Sequence, residues 1–455
     1  MKKESIFEEI LEAPAEMLEK LATETEKIEK RIEDKHIMKK GSNYIKSIGP
    51  GIVTGAADDD PSGIATYSQA GAQFGTSLIW LSIWLLPAMT LIQEMCARIA
   101  LVTGKGLASN IKRVYSRKVL FFITGILFIA NTINIGANLG AMAKAVQMIV
   151  PWFNFYFLII FIGITGLVLQ IFLSYKKYVK YLKWFAVSLL TYIITGLIIK
   201  MNWGQIFTDA LIPKITFSKE QIFLITAIIG TTISPYLFFW QTSQEVEEEI
   251  SEGKTRAIDR QGATDGEIKK MRVDVGLGMF FSNLVMFFII AVCATTLFAN
   301  GVTDINTATD AAEALRPLAG NGAYFLFALG IIGTGLLSIP VLAGSTSYAI
   351  TESFGYKEGL YRKLKDAHAF YGIIIISVLI GMLLNFIGVD PIKSLIYAAV
   401  LNGIIAPLIL ICIVHISGSK KIMGKHRNSK TANIIGWIIV ILMGLAAKGT
   451  IVGMF

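Results

Sequence analysis

The chain has 455 residues, of which 54% are hydrophobic and only 16% charged. Soluble domains carry about 25% charged residues, so this composition excludes an ordinary soluble globule and points to a membrane protein. The formal charge of +9 resembles a nucleic-acid signal, but the basic residues lie in short loops between apolar runs, where they set topology, and no nucleic-acid partner is expected.

Residues 1–45 come first. Ile6, Phe7, Ile10, Leu11, Met17, Leu18 and Leu21 recur at helical spacing among Glu and Lys. This predicts a cytoplasmic amphipathic helical tail, interrupted near Pro14. No apolar run there is long enough for a signal peptide. Beyond the tail, stretches of roughly 20 apolar residues, enough to cross a bilayer, recur near 46–75, 77–103, 119–149, 152–173, 183–200, 220–245, 275–298, 323–350, 370–388, 391–416 and 431–452. The expected fold class is therefore an all-α integral membrane protein with eleven transmembrane helices.

Lysine and arginine collect in alternate loops, as in GKGLASNIKRVYSRK after span 2, SYKKYVKYLK after span 4 and SGSKKIMGKHRNSK after span 10. PWFN, the 299–322 loop and GVDP on the other side carry few. The expectation is a multi-pass protein of the plasma (inner) membrane, with the N-terminus cytoplasmic and the C-terminus outside. The lipid bilayer is its expected partner, and a monomer its expected state.

Two spans are interrupted. Span 1 contains TGAADDDPSGIATYSQ, with Gly55, Pro61 and Gly63 at its middle, and span 6 breaks around Gly230, Thr231, Thr232, Ser234 and Pro235. Proline and glycine are poor continuous-helix residues. Unwound backbone at membrane depth is tolerated only inside protein or along a watery cavity. The breaks stand five spans apart, so they occupy matching places in two five-helix halves, 46–201 and 217–418, of inverted topology, with helix 11 at 431–455 added. Paired breaks of this kind mark a midplane substrate site in secondary transporters.

Asp58, Asp59 and Asp60 sit in the first break with no lysine or arginine in the same segment. An ionised carboxylate at the bilayer centre costs at least about 2.5–3.5 kcal/mol. A divalent cation would supply the missing positive charge; a proton is the competing answer. Successive positions point in different directions, so the three acids need not share a role. No nucleophile with a base, phosphate loop or cofactor motif is present, so no enzyme activity and no cofactor is expected. Cys96, Cys293 and Cys412 lie within apolar segments without disulfide or zinc spacing. His36, His368, His415 and His426 lie near loops or span ends, without metal-ligand spacing.

GIVTGAADDDPSGIATYSQAGAQFG followed by QEMCARIALVTGKG resembles spans 1 and 2 of the Nramp divalent-metal transporters, and the resemblance extends over 46–455. It implies a LeuT-type inverted repeat of 5+5 helices with helices 1 and 6 unwound at mid-membrane. In that family Asp-Pro-Gly-Asn breaks span 1 and Ala-x-x-Met-Pro-His breaks span 6. The resemblance implies a metal site at Asp60, Gly63, Thr231 and Ser234, with Thr231 contributing its backbone carbonyl. Here Gly63 stands in place of the asparagine, Ser234 of the methionine, and Tyr236 of the histidine.

Loss of a soft thioether removes selection for Mn²⁺ and Fe²⁺ over harder ions. Smaller residues at 63 and 234 predict a wider cavity, suited to Mg²⁺ that keeps its water. The family's proton path uses the span-6 histidine and an Asp-x-x-Glu pair on span 3, where this chain offers Asn131 and Asn134. Asparagine cannot carry a proton by changing charge; interhelical hydrogen bonding is the other use for such residues. The set of replacements resembles the Nramp-related magnesium transporter branch, which implies uncoupled Mg²⁺ and Mn²⁺ transport by alternating access. A proton-coupled Mn²⁺/Fe²⁺ symporter and a pore-type channel are the alternatives. Asp58, Asp59, Tyr236, Gln241, Asn131, Asn134 and Asn402 are expected along the ion path or vestibule. Gln93, Glu94, Gln244 and Glu245 are further vestibule candidates, and Thr66, Tyr67 and Gln69 candidates for contacting the ion's water.

Overall fold

A computed structural model describes residues 49–173, 177, 189–303, 305, 308–388 and 390–454. The expected amphipathic tail, His36 and most of the 174–188 segment lie outside the described residues.

Every long element is a helix: α1 (Pro50–Asp58), α2 (Pro61–Phe74), α3 (Leu81–Thr103), α4 (Leu107–Val114), α5 (Arg117–Ile149), α6 (Phe155–Phe172), α7 (Leu190–Ile198), α8 (Trp203–Leu211), α9 (Lys219–Thr232), α10 (Pro235–Ser251), α11 (Asp265–Thr296), α12 (Ala308–Phe354), α13 (His368–Leu384), α14 (Pro391–Gly418) and α15 (Lys430–Met454). Among the described residues, nine helical stretches are long and apolar enough to cross a membrane, α9 and α10 counting as one. The other two expected spans are the broken α1–α2 pair and the span of which only α7 is described.

Two expected loops differ. The segment 299–322 is helical from Ala308 onward, because DAAEALRPLAG is rich in the strong helix formers alanine and leucine. The basic loop after α3 folds into α4, whose last turn carries Lys112 and Arg113, where positive charge complements the helix dipole.

Packing follows an inverted repeat. The long α5 lies against α12, its counterpart in the second half, in the most extensive helix–helix contact. α11 packs on α1 and α2, and correspondingly α3 packs on α10, while α14 covers α9. One stripe of α11, at helical spacing of four, follows α1 along its length. Asp274 accepts from the backbone N–H of Gly49 at 2.9 Å and of Gly51 at 2.6 Å, capping a helix start that has no side-chain cap of its own. Gly278 meets Gly55 so closely that a Cβ on either would fall on the backbone of the facing helix. Ser282 reaches Asp58 at the other end of α1. At the second break Gly230 of α9 is pressed in the same way against Gly403 of α14.

Candidate functional site

Pro61 has no N–H to continue the ladder, and its ring excludes the carbonyl of a preceding turn. α1 therefore stops at Asp58, and Asp60 becomes the N-cap of α2, with Pro61 in the first turn where proline is preferred. Pro235 does the same at the second break, with Ile233 ending α9 and Ser234 opening α10. The C-terminal ends of α1 and α9 carry partial negative charge, and both face the region of the break.

Asp58, Asp59 and Asp60 are each 0% exposed, and their surroundings differ. Asp60 is surrounded by neutral donors. Its Oδ1 accepts from the Ser62 hydroxyl and from the backbone N–H of Gly63 at 2.9 Å. Its Oδ2 accepts from the amides of Asn134 and Asn138, each at 3.1 Å. No cationic side chain pairs with it among the described residues. Asp58 accepts from Ser282 Oγ at 2.6 Å through Oδ2, while its Oδ1 and both oxygens of Asp59 have no hydrogen-bond partner. The buried Tyr67 hydroxyl, one turn into α2, is also unpartnered.

The second break satisfies itself. Ser234 Oγ donates to the carbonyls of Gly230 at 2.7 Å and Thr231 at 2.5 Å. Thr232 Oγ1 donates to Ile228 O. Tyr236 OH reaches across to Ala57 O, at the end of α1, at 3.1 Å. The breaks meet where Ser62 Oγ lies 3.4 Å from Thr231 Oγ1.

Of the expected site residues, Asp60, Gly63 and Thr231 come together with Asn134, and Tyr236 joins them through the end of α1. Ser234 faces its own helix end. Asn131 turns away: its amide donates to Leu342 O, Ser345 Oγ and Thr346 Oγ1, tying α5 to α12. This is the interhelical use of asparagine and corrects its placement on the ion path. Gln241 donates to Glu245 at 2.8 Å, one turn further along α10. Asn402 is buried beside Gly403 with neither amide atom partnered. Glu94 does not line the vestibule; it pairs with Arg98 and Arg272, each at 2.9 Å.

The open space expected at Gly63 is closed. A Cβ there would meet Thr231 Oγ1 at 3.2 Å, and Asp58 O and Tyr67 Cε2 at 3.3 Å each, because the neighbours have moved into the missing side chain's place. Asn138, Ser62 and Ser282 were not singled out from the sequence. Asn138 was visible in it as the next step of the Asn131–Asn134 stripe, three then four residues apart on one helix face. Among the described residues no three acidic, histidine or cysteine side chains converge as a ready ligand set, consistent with the three aspartates pointing apart.

A family model described as "Natural resistance-associated macrophage protein-like" (Nramp) matches residues 51–452. The divalent metal cation transporter MntH of Yersinia enterocolitica is 27% identical over 419 residues, covering 88% of this chain and 93% of the relative. The protein of the same name from Aeromonas hydrophila is 24% identical over 404 residues, covering 87% and 93%. Among solved structures, the Eremococcus coleocola manganese transporter superposes with a TM-score of 0.71 at 17% identity, over 91% of this chain and 87% of that one. Mhp1, a nucleobase-cation-symport-1 family transporter, superposes with a TM-score of 0.57 at 11% identity, over 89% and 91%. The fold is thus the LeuT-type inverted repeat.

Proposed function

The chain belongs to the Nramp family, and from that premise we propose that it is a divalent-metal transporter, carrying Mg²⁺ and also Mn²⁺ by alternating access and without proton coupling. The observation that carries the reading is Asp60: a wholly buried carboxylate with four neutral donors and no cationic partner. Neutral hydrogen bonds hold such a charge in place, and a cation arriving between the C-terminal ends of α1 and α9 would neutralise it.

The metal set we propose is Asp60 with Gly63, Thr231 and Ser234 around it. Asp60 is the one charged ligand, and the other three positions act through backbone and retained water. Every polar atom hydrogen-bonded within this set is oxygen or nitrogen, a hard environment that favours Mg²⁺ with part of its hydration shell over softer ions. Asn134 and Asn138 bind Asp60 where titratable groups would be needed to pass a proton, and Tyr236 is engaged with Ala57 O; these features support uncoupled transport. Asp58, Asp59, Gln241 and Asn402 extend the path, Asp58 and Asp59 adding negative charge beside it. The halves we assign to the repeat are 46–201 and 217–418, with 431–455 as the added helix, a cytoplasmic N-terminus and an outward C-terminus.

The unpartnered oxygens of Asp59 favour the competing reading, a proton-coupled Mn²⁺/Fe²⁺ symporter, because a buried unpaired carboxylate is a ready proton acceptor. Protein reconstituted in liposomes separates the two. Mg²⁺ and Mn²⁺ uptake without lumenal acidification is expected, and metal-driven H⁺ entry at a fixed ratio would overturn the uncoupled reading.

A further inference from the structure

Away from the helix breaks, α3, α11 and the start of α15 enclose a cleft of about 720 Å³. Leu86, Thr90, Glu94 and Arg98, four positions at successive turns of α3, form its floor over about 18 Å. Chemistry changes along that floor. Leu86 and Leu91, with Ala432 opposite, make one end apolar, whereas Arg98, Arg272 and Arg427 make the other end basic. The basic end lies toward the α3 terminus that leads into the Lys- and Arg-rich α4. Exposed Trp84 and Ile434 on the flanking helices belong to the surface that lipid covers.

Three guanidinium groups here face one carboxylate. Arg98 is spent internally: it donates to both oxygens of Glu94, to His426 O and to Asn428 Oδ1. Arg272 shares Glu94 through Nε at 2.9 Å, yet its side chain is 59% exposed. Arg427 is exposed and has no ion-pair or hydrogen-bond partner among the described residues. Unspent positive charge thus stands at the mouth of an apolar groove, on a base held rigid by Arg98, Glu94 and Asn428.

We infer that this cleft binds one anionic phospholipid of the surrounding leaflet, its phosphodiester between Arg272 and Arg427 and an acyl chain along Leu86 and Leu91. A planar guanidinium matches a phosphate's paired oxygens better than any other side chain. Basic pockets between membrane helices, continuous with lipid-facing apolar surface, select anionic headgroups in this way. The assignment is independent of the transported ion.

Native mass spectrometry of the full chain, supplied with phosphatidylglycerol or with phosphatidylcholine of the same acyl chains, tests it. One tightly retained phosphatidylglycerol is expected, with no comparable retention of phosphatidylcholine. Arg272→Gln combined with Arg427→Gln should weaken retention on the order of tenfold, about the loss of one charge-assisted contact. Lys420→Gln with Lys421→Gln, on exposed surface nearby, should leave retention unchanged. Leu91→Trp fills the apolar end without altering charge and should also weaken retention, which keeps the test open if the arginine pair fails to fold. Equal retention of the two lipids, equal loss in the lysine pair, or displacement of the lipid by millimolar inorganic phosphate overturns the proposal.

Discussion

At the first break three aspartates stand in a row, and three of their carboxylate oxygens have no partner: Asp58 Oδ1 and both of Asp59. At the second break Ser234 takes up the carbonyls of Gly230 and Thr231, and Tyr236 takes up that of Ala57. Otherwise the two are built alike. Each ends a helix before a proline that starts the next, and each is clamped beforehand by a glycine against a neighbouring helix, Gly55 on Gly278 and Gly230 on Gly403. The interruption is thus a property of proline and glycine, and the charge is added separately, to one side only. A site made of one charged and one neutral break attracts a cation to α1 and α2 and leaves α9 and α10 to shape the space around it.

Removing the charge should have the largest effect. Asp60→Ala is expected to lower Mg²⁺ uptake into proteoliposomes on the order of 100-fold, since truncating a buried charged partner costs about 2–5 kcal/mol. Wild-type uptake in this variant would erase the distinction between the breaks. Asp59→Asn sharpens it. Because the Asp59 oxygens have no partner to lose, thermal stability should hold or rise while uptake falls by roughly tenfold, the effect of about 1.4 kcal/mol; a lowered Tm would mean that Asp59 has a structural partner. The smallest effect belongs to the neutral break. Tyr236→Phe leaves Ala57 O unsatisfied, a loss of about 1 kcal/mol, so Tm should drop by roughly 2 °C with uptake within about threefold of wild type, since binding energy of about 0.6 kcal/mol changes a rate by that factor.

The fold and the place of the site were legible in the sequence because both are written in local chemistry. Apolar runs of bilayer length are visible one at a time, and acids beside Pro61 in such a run are too costly to stand there without an ion or a proton to meet them. What was hidden depends on partners far along the chain and on how each helix is rotated. Asn131 and Asn134 share a stripe, yet a small rotation of α5 sends one to α12 and the other to Asp60. Ser282 meets Asp58 across 224 residues, a separation at which spacing rules say nothing. Gly63 misled for another reason. A missing side chain makes room only if its neighbours stay still, and here Thr231 and Tyr67 have closed in. Glu94 read as a vestibule residue because its two arginine partners come from α3 itself and from α11.

The stripe Asp274–Gly278–Ser282 has a mechanical consequence. It grips α1 at its start, middle and end, so the half-helix is bolted to α11 as a lever to its mounting. If α1 swings at the Asp59 joint to open one side of the membrane, it must either shed the Asp274 cap and the Ser282 contact or carry α11 with it. The second course breaks fewer bonds, and it makes the rigid moving part a pair of helices drawn from opposite halves of the repeat. Each stroke of the lever would then shift both halves together.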